Sequence, residues 1–172
     1  MAKSHTIRAA GTVVTVEIDE TTAVASLDKL AERLGDMRRF FRNYWAVKFF
    51  NDILQNFETE GGSVGGWRAL SPRYAAWKRR VVGNRPILQF SRNMRESFVI
   101  GNPNNVLRVT KTHAEAGSRL QRAYWHTTGT SRLPRRRVIF LAPAREYNPI
   151  LRDYLHEELE SAGFRDARRK AS

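Results

Sequence analysis

The chain has 172 residues, 41% of them hydrophobic, with nine Phe, four Trp, no cysteine and a formal net charge of +13. This length and apolar share suit a single domain with its own core and exclude a disordered chain. The lack of cysteine excludes disulfides and thiolate metal sites, and the lack of any apolar run near the ~18 residues of a membrane span excludes a transmembrane helix.

The N-terminus, MAKSHTIRAAG, has no apolar stretch of signal-peptide length, so the expected setting is a reducing cytoplasm. A pI near 11.0 points to a polyanionic partner, either nucleic acid or an acidic protein surface. The charge is confined to one segment. Residues 67–145 hold 17 Lys and Arg against 2 Asp and Glu, while residues 1–66 hold 8 against 9 and residues 146–172 hold 5 against 6. A solvated basic face with no specific partner is the plainer alternative, but surfaces ordinarily mix both signs.

In chain order, Val14, Val16 and Ile18 alternate with Thr15 and Glu17, which predicts a half-buried strand within 6–18. Asp19-Glu20-Thr21-Thr22 supplies an N-cap and first-turn acids for a helix. Leu27, Leu30, Leu34, Met37, Phe41, Tyr44, Val47, Phe50, Leu54 and Phe57 recur at three- and four-residue steps and share one stripe. Gly35-Asp36 interrupts it, which predicts helices over 22–34 and 36–58, with one long bent helix as the alternative. Phe40, Trp45, Phe49 and Ile53 lie beside the main stripe. A helix apolar around so much of its circumference is either the central core helix or one packed on a neighbouring subunit.

Residues 59–66 form a glycine-rich loop. It lacks the preceding strand and the Lys-Ser or Lys-Thr of a phosphate-binding loop, so it is expected to be a flexible connector or binding loop. Ser71-Pro72 starts a helix predicted to run to Val81 and to stop at Gly83-Asn84. Tyr74, Trp77 and Val81 share one face of it and are expected in the core rather than as a stacking platform for bases. Residues 87–90 are expected as a helical turn, with strands at 98–100, 106–109 and 112–116. Residues 119–125 are read as a short helical turn and 138–142 as a short apolar strand. A last helix starts near Arg145 or Tyr147 and ends at Gly163, followed by a loose basic tail. The fold class that follows is α+β: an antiparallel sheet of short strands packed against two long N-terminal helices and a C-terminal helix. The whole of 1–172 forms one domain.

No chemistry stands out. His5, His113, His126 and His156 lie at no metal-ligand spacing. Only Glu96 and Glu115 occur between Trp67 and Arg145, which leaves little material there for paired-carboxylate hydrolysis or a nuclease metal site. Neither an enzyme nor a bound cofactor or metal is expected.

Certain landmarks stand in a set order. Asp19-Glu20 follows the opening strand, and the helix Leu27-Asp28-Lys29-Leu30-Ala31-Glu32-Arg33-Leu34 leads into the second helix. After the glycine-rich loop come Trp67-Arg68-Ala69-Leu70-Ser71-Pro72-Arg73-Tyr74, then Lys78 and Pro86-Ile87-Leu88. Tyr124-Trp125-His126-Thr127-Thr128-Gly129 and Pro134-Arg135-Arg136 before Val138-Ile139-Phe140-Leu141 complete the series. In this order the chain resembles the virion-morphogenesis, or tail-completion, proteins of tailed bacteriophages over roughly Val13 to Leu159. It departs where the family often has Thr-Gly after Ile-Leu and here Gln89-Phe90 follow. It departs again where His-Gln is His126-Thr127 and Pro-Ala-Arg is Pro134-Arg135-Arg136.

The resemblance implies a structural protein of the virion, assembled in the host cytoplasm: a ring component, commonly hexameric, at the head-proximal end of the tail. Its implied partners are other copies of itself, the tail tube, neck or connector proteins, and genomic DNA in the lumen; no membrane is implied. Tail completion, tail termination and head–tail joining remain open as its role. Trp67, Leu70, Tyr74 and Trp77 are expected as fold landmarks. Lys78, Arg79, Arg80, Arg135, Arg136 and Arg137 are expected as contacts to a partner or to DNA. A basic nucleic-acid-binding protein is the alternative, since it accounts for the charge but not for the order of the landmarks.

Overall fold

A computed structural model describes residues 3–9, 12–18 and 20–164, with side chains from Val24 onward. The fold is α+β. Its strands form two separate antiparallel hairpins rather than one sheet. Strand β1 (Lys3–Ala9) pairs with β2 (Thr12–Ile18), and β3 (Asn105–Val109) pairs with β4 (Ala114–Ser118). The opening strand expected from the Val14–Ile18 alternation is the second arm of the first hairpin, with Ile7 opposite Val14. The expected cap at Asp19 and the loose tail beyond Phe164 lie outside the described residues.

Helix α1 (Glu20–Leu34) ends where predicted. At the break, Met37 N–H donates to the Lys111 carbonyl in the turn of the second hairpin. Asp36 accepts the Arg38 backbone N–H at 3.2 Å and its guanidinium at 2.8 Å. The Arg38 contact holds the Asp36 carboxyl near a pKa of about 2. The chain then runs as one rod from α2 (Arg38–Phe40), through a π-helical turn (Phe41–Trp45), into α3 (Ala46–Glu58).

The π turn corrects the expected stripe. A π turn takes in an extra residue, and each residue of an α-helix turns through about 100°. The apolar face therefore shifts. Ala46, Phe49, Phe50, Ile53 and Phe57 are buried, while Val47 is exposed; Leu27, in α1 before the turn, is exposed too. Spacings of three and four still hold along α3, so it is the central core helix. Trp67, Ile87, Met94, Phe98, Ala123, Val138 and Phe140 pack around it.

The glycine-rich stretch is a folded turn. Gly61 N–H bonds to Asn56 O, Gly66 N–H to Gly61 O, and Trp67 N–H to Glu60 O. Gly61 has φ +94°, and a Cβ there would lie 2.5 Å from the Trp67 ring, so no other residue fits. The turn brings Trp67 edge-on to Phe57 at 5.4 Å between ring centroids.

Helix α4 (Pro72–Val82) begins as predicted, with Ser71 Oγ accepting the Tyr74 N–H. Short α5 (Asn93–Glu96) leads into hydrogen-bonded turns from Arg95 to Val99, where a strand was expected. The Ser97 hydroxyl donates back to Met94 O at 2.7 Å and tightens that turn. Helix α6 (Gln121–Thr128) is longer than the turn predicted there. Residues 138–142 keep the alternation of a strand, with Val138, Phe140 and Ala142 buried, but pair with no strand among the described residues. Helix α7 (Asn148–Ala162) closes the fold, and Gly163 at φ +101° ends it.

Helix α7 is tied back to the N-terminal helices. The buried carboxylate of Glu158 accepts from Arg33 Nη1 at 2.9 Å and also from Arg39, whose second amine reaches Glu157 at 2.6 Å. Tyr154 packs between Phe40 and Tyr44, at 5.3 and 5.5 Å between centroids.

Truncating Phe57, fully buried between Trp67 and Phe98, tests this picture. Phe57→Ala is expected to cost about 3–5 kcal/mol in urea unfolding. Tyr124→Ala, on the surface, should stay within about 0.5 kcal/mol. Equal losses would show that α3 is not the centre of the core.

Candidate functional site

The six basic residues expected to face a partner are sorted by the fold into two sets. Arg79, Arg80, Arg135 and Arg137 are exposed, and Lys78 and Arg136 are buried. Lys78 is 4% exposed, and its amine donates to the carbonyls of Arg85 at 2.7 Å and Pro86 at 2.5 Å. It pins the chain after α4 back onto the helix, and burial lowers its pKa.

Arg136 is 5% exposed. Its Nε donates to Arg68 O at 3.0 Å and its Nη2 lies 3.5 Å from Ala69 O. Burial, then the neighbouring Arg68, lowers its pKa. Both side chains thus donate to backbone carbonyls within the fold.

The opposite correction applies to the aromatic face of α4. Tyr74, Trp77 and Val81 are 43%, 48% and 54% exposed. Trp77 stacks flat on Phe90, 5.4 Å away, and Tyr74 lies beside it. A helical period shows that these residues share a face, but not which face is inward. Here the face carrying Lys78 is inward, because two stranded carbonyls await its amine. Of the expected landmarks, Trp67 is buried and Leu70 half-buried, whereas Tyr74 and Trp77 form surface.

Between α4, α6 and residues 130–136 lies an open groove of roughly 1080 Å³. Arg68, Arg122, Arg132, Lys78 and Arg136 line it, and no acidic residue does. Leu70, Leu88, Met94 and Leu133 supply apolar wall. Leu88 has φ +63°, an uncommon conformation for a non-glycine residue. Its neighbour Gln89 turns inward, and its amide donates to Phe57 O at the end of α3, at 3.0 Å.

His126 also lines the groove, and its Nδ1 is buried with no hydrogen-bond partner among the described residues. Burial, then Arg136 and Arg122, lowers its pKa, so the imidazole is neutral near pH 7. The sequence reading passed over Arg68, Arg122, Arg132 and His126 as a group. The one signal available was the four-residue step from Arg122 to His126, which puts both on one side of α6. The rest come from distant segments.

Among the described residues, no three His, Asp or Glu are placed to hold a metal ion, and no helix is long and apolar enough to cross a membrane. Comparison with family models, with curated proteins and with solved structures finds no match to this chain.

Lys78→Met leaves two carbonyls without their donor and is expected to cost about 1–3 kcal/mol of unfolding free energy. Arg79→Ala next to it should stay within about 0.5 kcal/mol. Reversal of that order in urea titrations would return Lys78 to the surface set.

His126 makes stability depend on pH. The unfolded chain takes up a proton at the ordinary value of 6.5, while the folded chain holds His126 below it. Between those two values the unfolded state binds more protons, so stability rises with pH there and is lost as pH falls below 6.5. Urea midpoints from pH 7 to pH 5 should fall for the wild type, and His126→Gln should flatten that fall. An unchanged slope would show that the imidazole is not held neutral.

Proposed function

We propose that the chain is a structural protein of a bacteriophage virion. In this role it is a ring component at the head-proximal end of the tail, which completes or terminates the tail or joins it to the head. It self-associates, caps or docks on the tail tube, and meets neck proteins or the DNA of the lumen. The observation that carries this reading is how its sequence landmarks are wired together. Trp67 Nε1 donates to Arg137 O, Arg136 to Arg68 O, and Lys78 to Pro86 O. The stretches that resemble the tail-completion family thus lie against one another as a single unit, as expected if they define a shared fold.

The surface also suits an assembly role. Tyr74, Trp77 and Val81 are apolar and exposed, and Arg79 and Arg80 lie on the same helix. Apolar surface of this kind marks contact with another chain, and head-to-tail contacts between different patches close into rings.

A second reading, nucleic-acid binding, is favoured by the same exposed Tyr74 and Trp77 beside arginines, since aromatic faces stack on bases and cations meet phosphates. Mass in solution by light scattering, alone and with isolated tail tubes, separates the two. A ring at several multiples of the 19.8 kDa protomer, formed alone or on tube ends, is the expected result. Reversing Arg79, Arg80, Arg135 and Arg137 to Glu should leave folding intact and abolish docking. A monomer that ignores tubes, yet binds DNA with an affinity falling steeply with salt, would overturn the virion reading.

A further inference from the structure

The basic groove holds more cationic charge than the chain itself neutralises. We propose that it is a receptor for an acidic, amphipathic segment of a different protein, which sets a carboxylate against Arg136 and His126. Arg136 is buried, its hydrogen bonds go to carbonyls, and no described carboxylate pairs with it. A buried guanidinium without an anion is unfavourable, and an incoming carboxylate relieves it. The unpartnered Nδ1 of His126 lines the same groove. Arg68, Arg122 and Arg132 also line it, and none of the described ion pairs includes them.

The chain's own acids are poor candidates for this place. Glu157 and Glu158 are held by Arg33 and Arg39, and Asp52 and Glu146 by Lys48. In a second copy these same carboxylates are held by the same partners. The occupant is therefore a different molecule. The groove's lining decides its class. Leu70, Leu88, Met94 and Leu133 stand among the cations, alongside the rings of Tyr74 and Phe90; the four non-aromatic side chains give a base no ring to stack on and a sugar–phosphate backbone nothing to gain. A peptide segment that alternates acidic and aliphatic residues uses both kinds of wall. This inference holds whether or not the chain serves in a tail.

The probe is a fluorescein-labelled peptide of about 12 residues built from Glu and Leu, read by anisotropy at fixed salt. A matched peptide with Gln for Glu and a single-stranded oligonucleotide of equal length serve as comparisons. The Glu peptide is expected to bind, with the Gln peptide at least ~10-fold weaker. The triple variant Arg68→Ala, Arg122→Ala, Arg132→Ala leaves Arg136 and the core in place. It should weaken Glu-peptide binding at least ~10-fold, while Arg79→Ala with Arg80→Ala changes it less than ~2-fold. Any of three results overturns the proposal: no binding of the Glu peptide, binding unchanged in the triple variant, or an oligonucleotide that displaces the peptide and depends on the same three arginines.

Discussion

The carbonyl oxygen of Arg137 holds this structure together at one point. It accepts two hydrogen bonds, from Asn56 Nδ2 at 3.0 Å and Trp67 Nε1 at 3.3 Å. A carbonyl has two lone pairs, and here they join the core helix α3 and the exit of the glycine turn that follows it to the extended run 135–142, far along the chain. With that oxygen fixed, Val138 and Phe140 fall into the core beside Phe57, and Arg136 turns toward Arg68. The extended run needs no neighbouring strand, because Ile139 N–H finds Thr127 Oγ1 and Arg136 N–H finds His126 O. The arrangement has a cost: Asn56 Oδ1 is buried with no partner among the described residues, an omission worth about 1–3 kcal/mol.

The groove follows from that junction. Arg136 is drawn in as a consequence of where its neighbour Arg137 is fastened, and it brings its charge to the foot of a wall already carrying Arg68 and Arg122. Lys78 reaches the same region from α4 to satisfy the Arg85 and Pro86 carbonyls. Two cations thus serve the fold by bonding to backbone, and they leave positive charge facing a concave space. Electrostatic attraction for an anion is here a by-product of how the backbone is held.

Several elements could be read from residues alone, because local physics settles them. The Ser71-Pro72 start of α4, the break at Gly35-Asp36 and the Gly163 end of α7 depend on cap geometry and on the conformations of glycine and proline within a few residues. The burial of Phe50 and Phe57 follows from spacing, whereas that of Phe49 and Ile53, and the exposure of Val47, follow from the π-helical turn that shifts the face. The apolar run 138–142 was expected as a strand; Val138, Phe140 and Ala142 do alternate inward as in an extended chain, but an extended run does not by itself report what pairs with it. The strand expected at 98–100 failed because Ser97 can bond back to Met94 O, a local competitor that composition does not reveal.

By itself, the sequence determined the α+β class, most helix boundaries and the confinement of the excess positive charge to one segment. Each rests on interactions between residues near one another along the chain, or on simple counting. The tertiary structure alone decided that Lys78 and Arg136 face inward while Tyr74 and Trp77 face out, and that Arg68, Arg122, Arg132 and His126 share a groove. Periodicity cannot choose between two faces of a helix. The choice was made by the carbonyls of Arg85, Pro86 and Arg68, which accept from Lys78 and Arg136, and the pairing of Arg136 with Arg68 joins segments far apart in sequence.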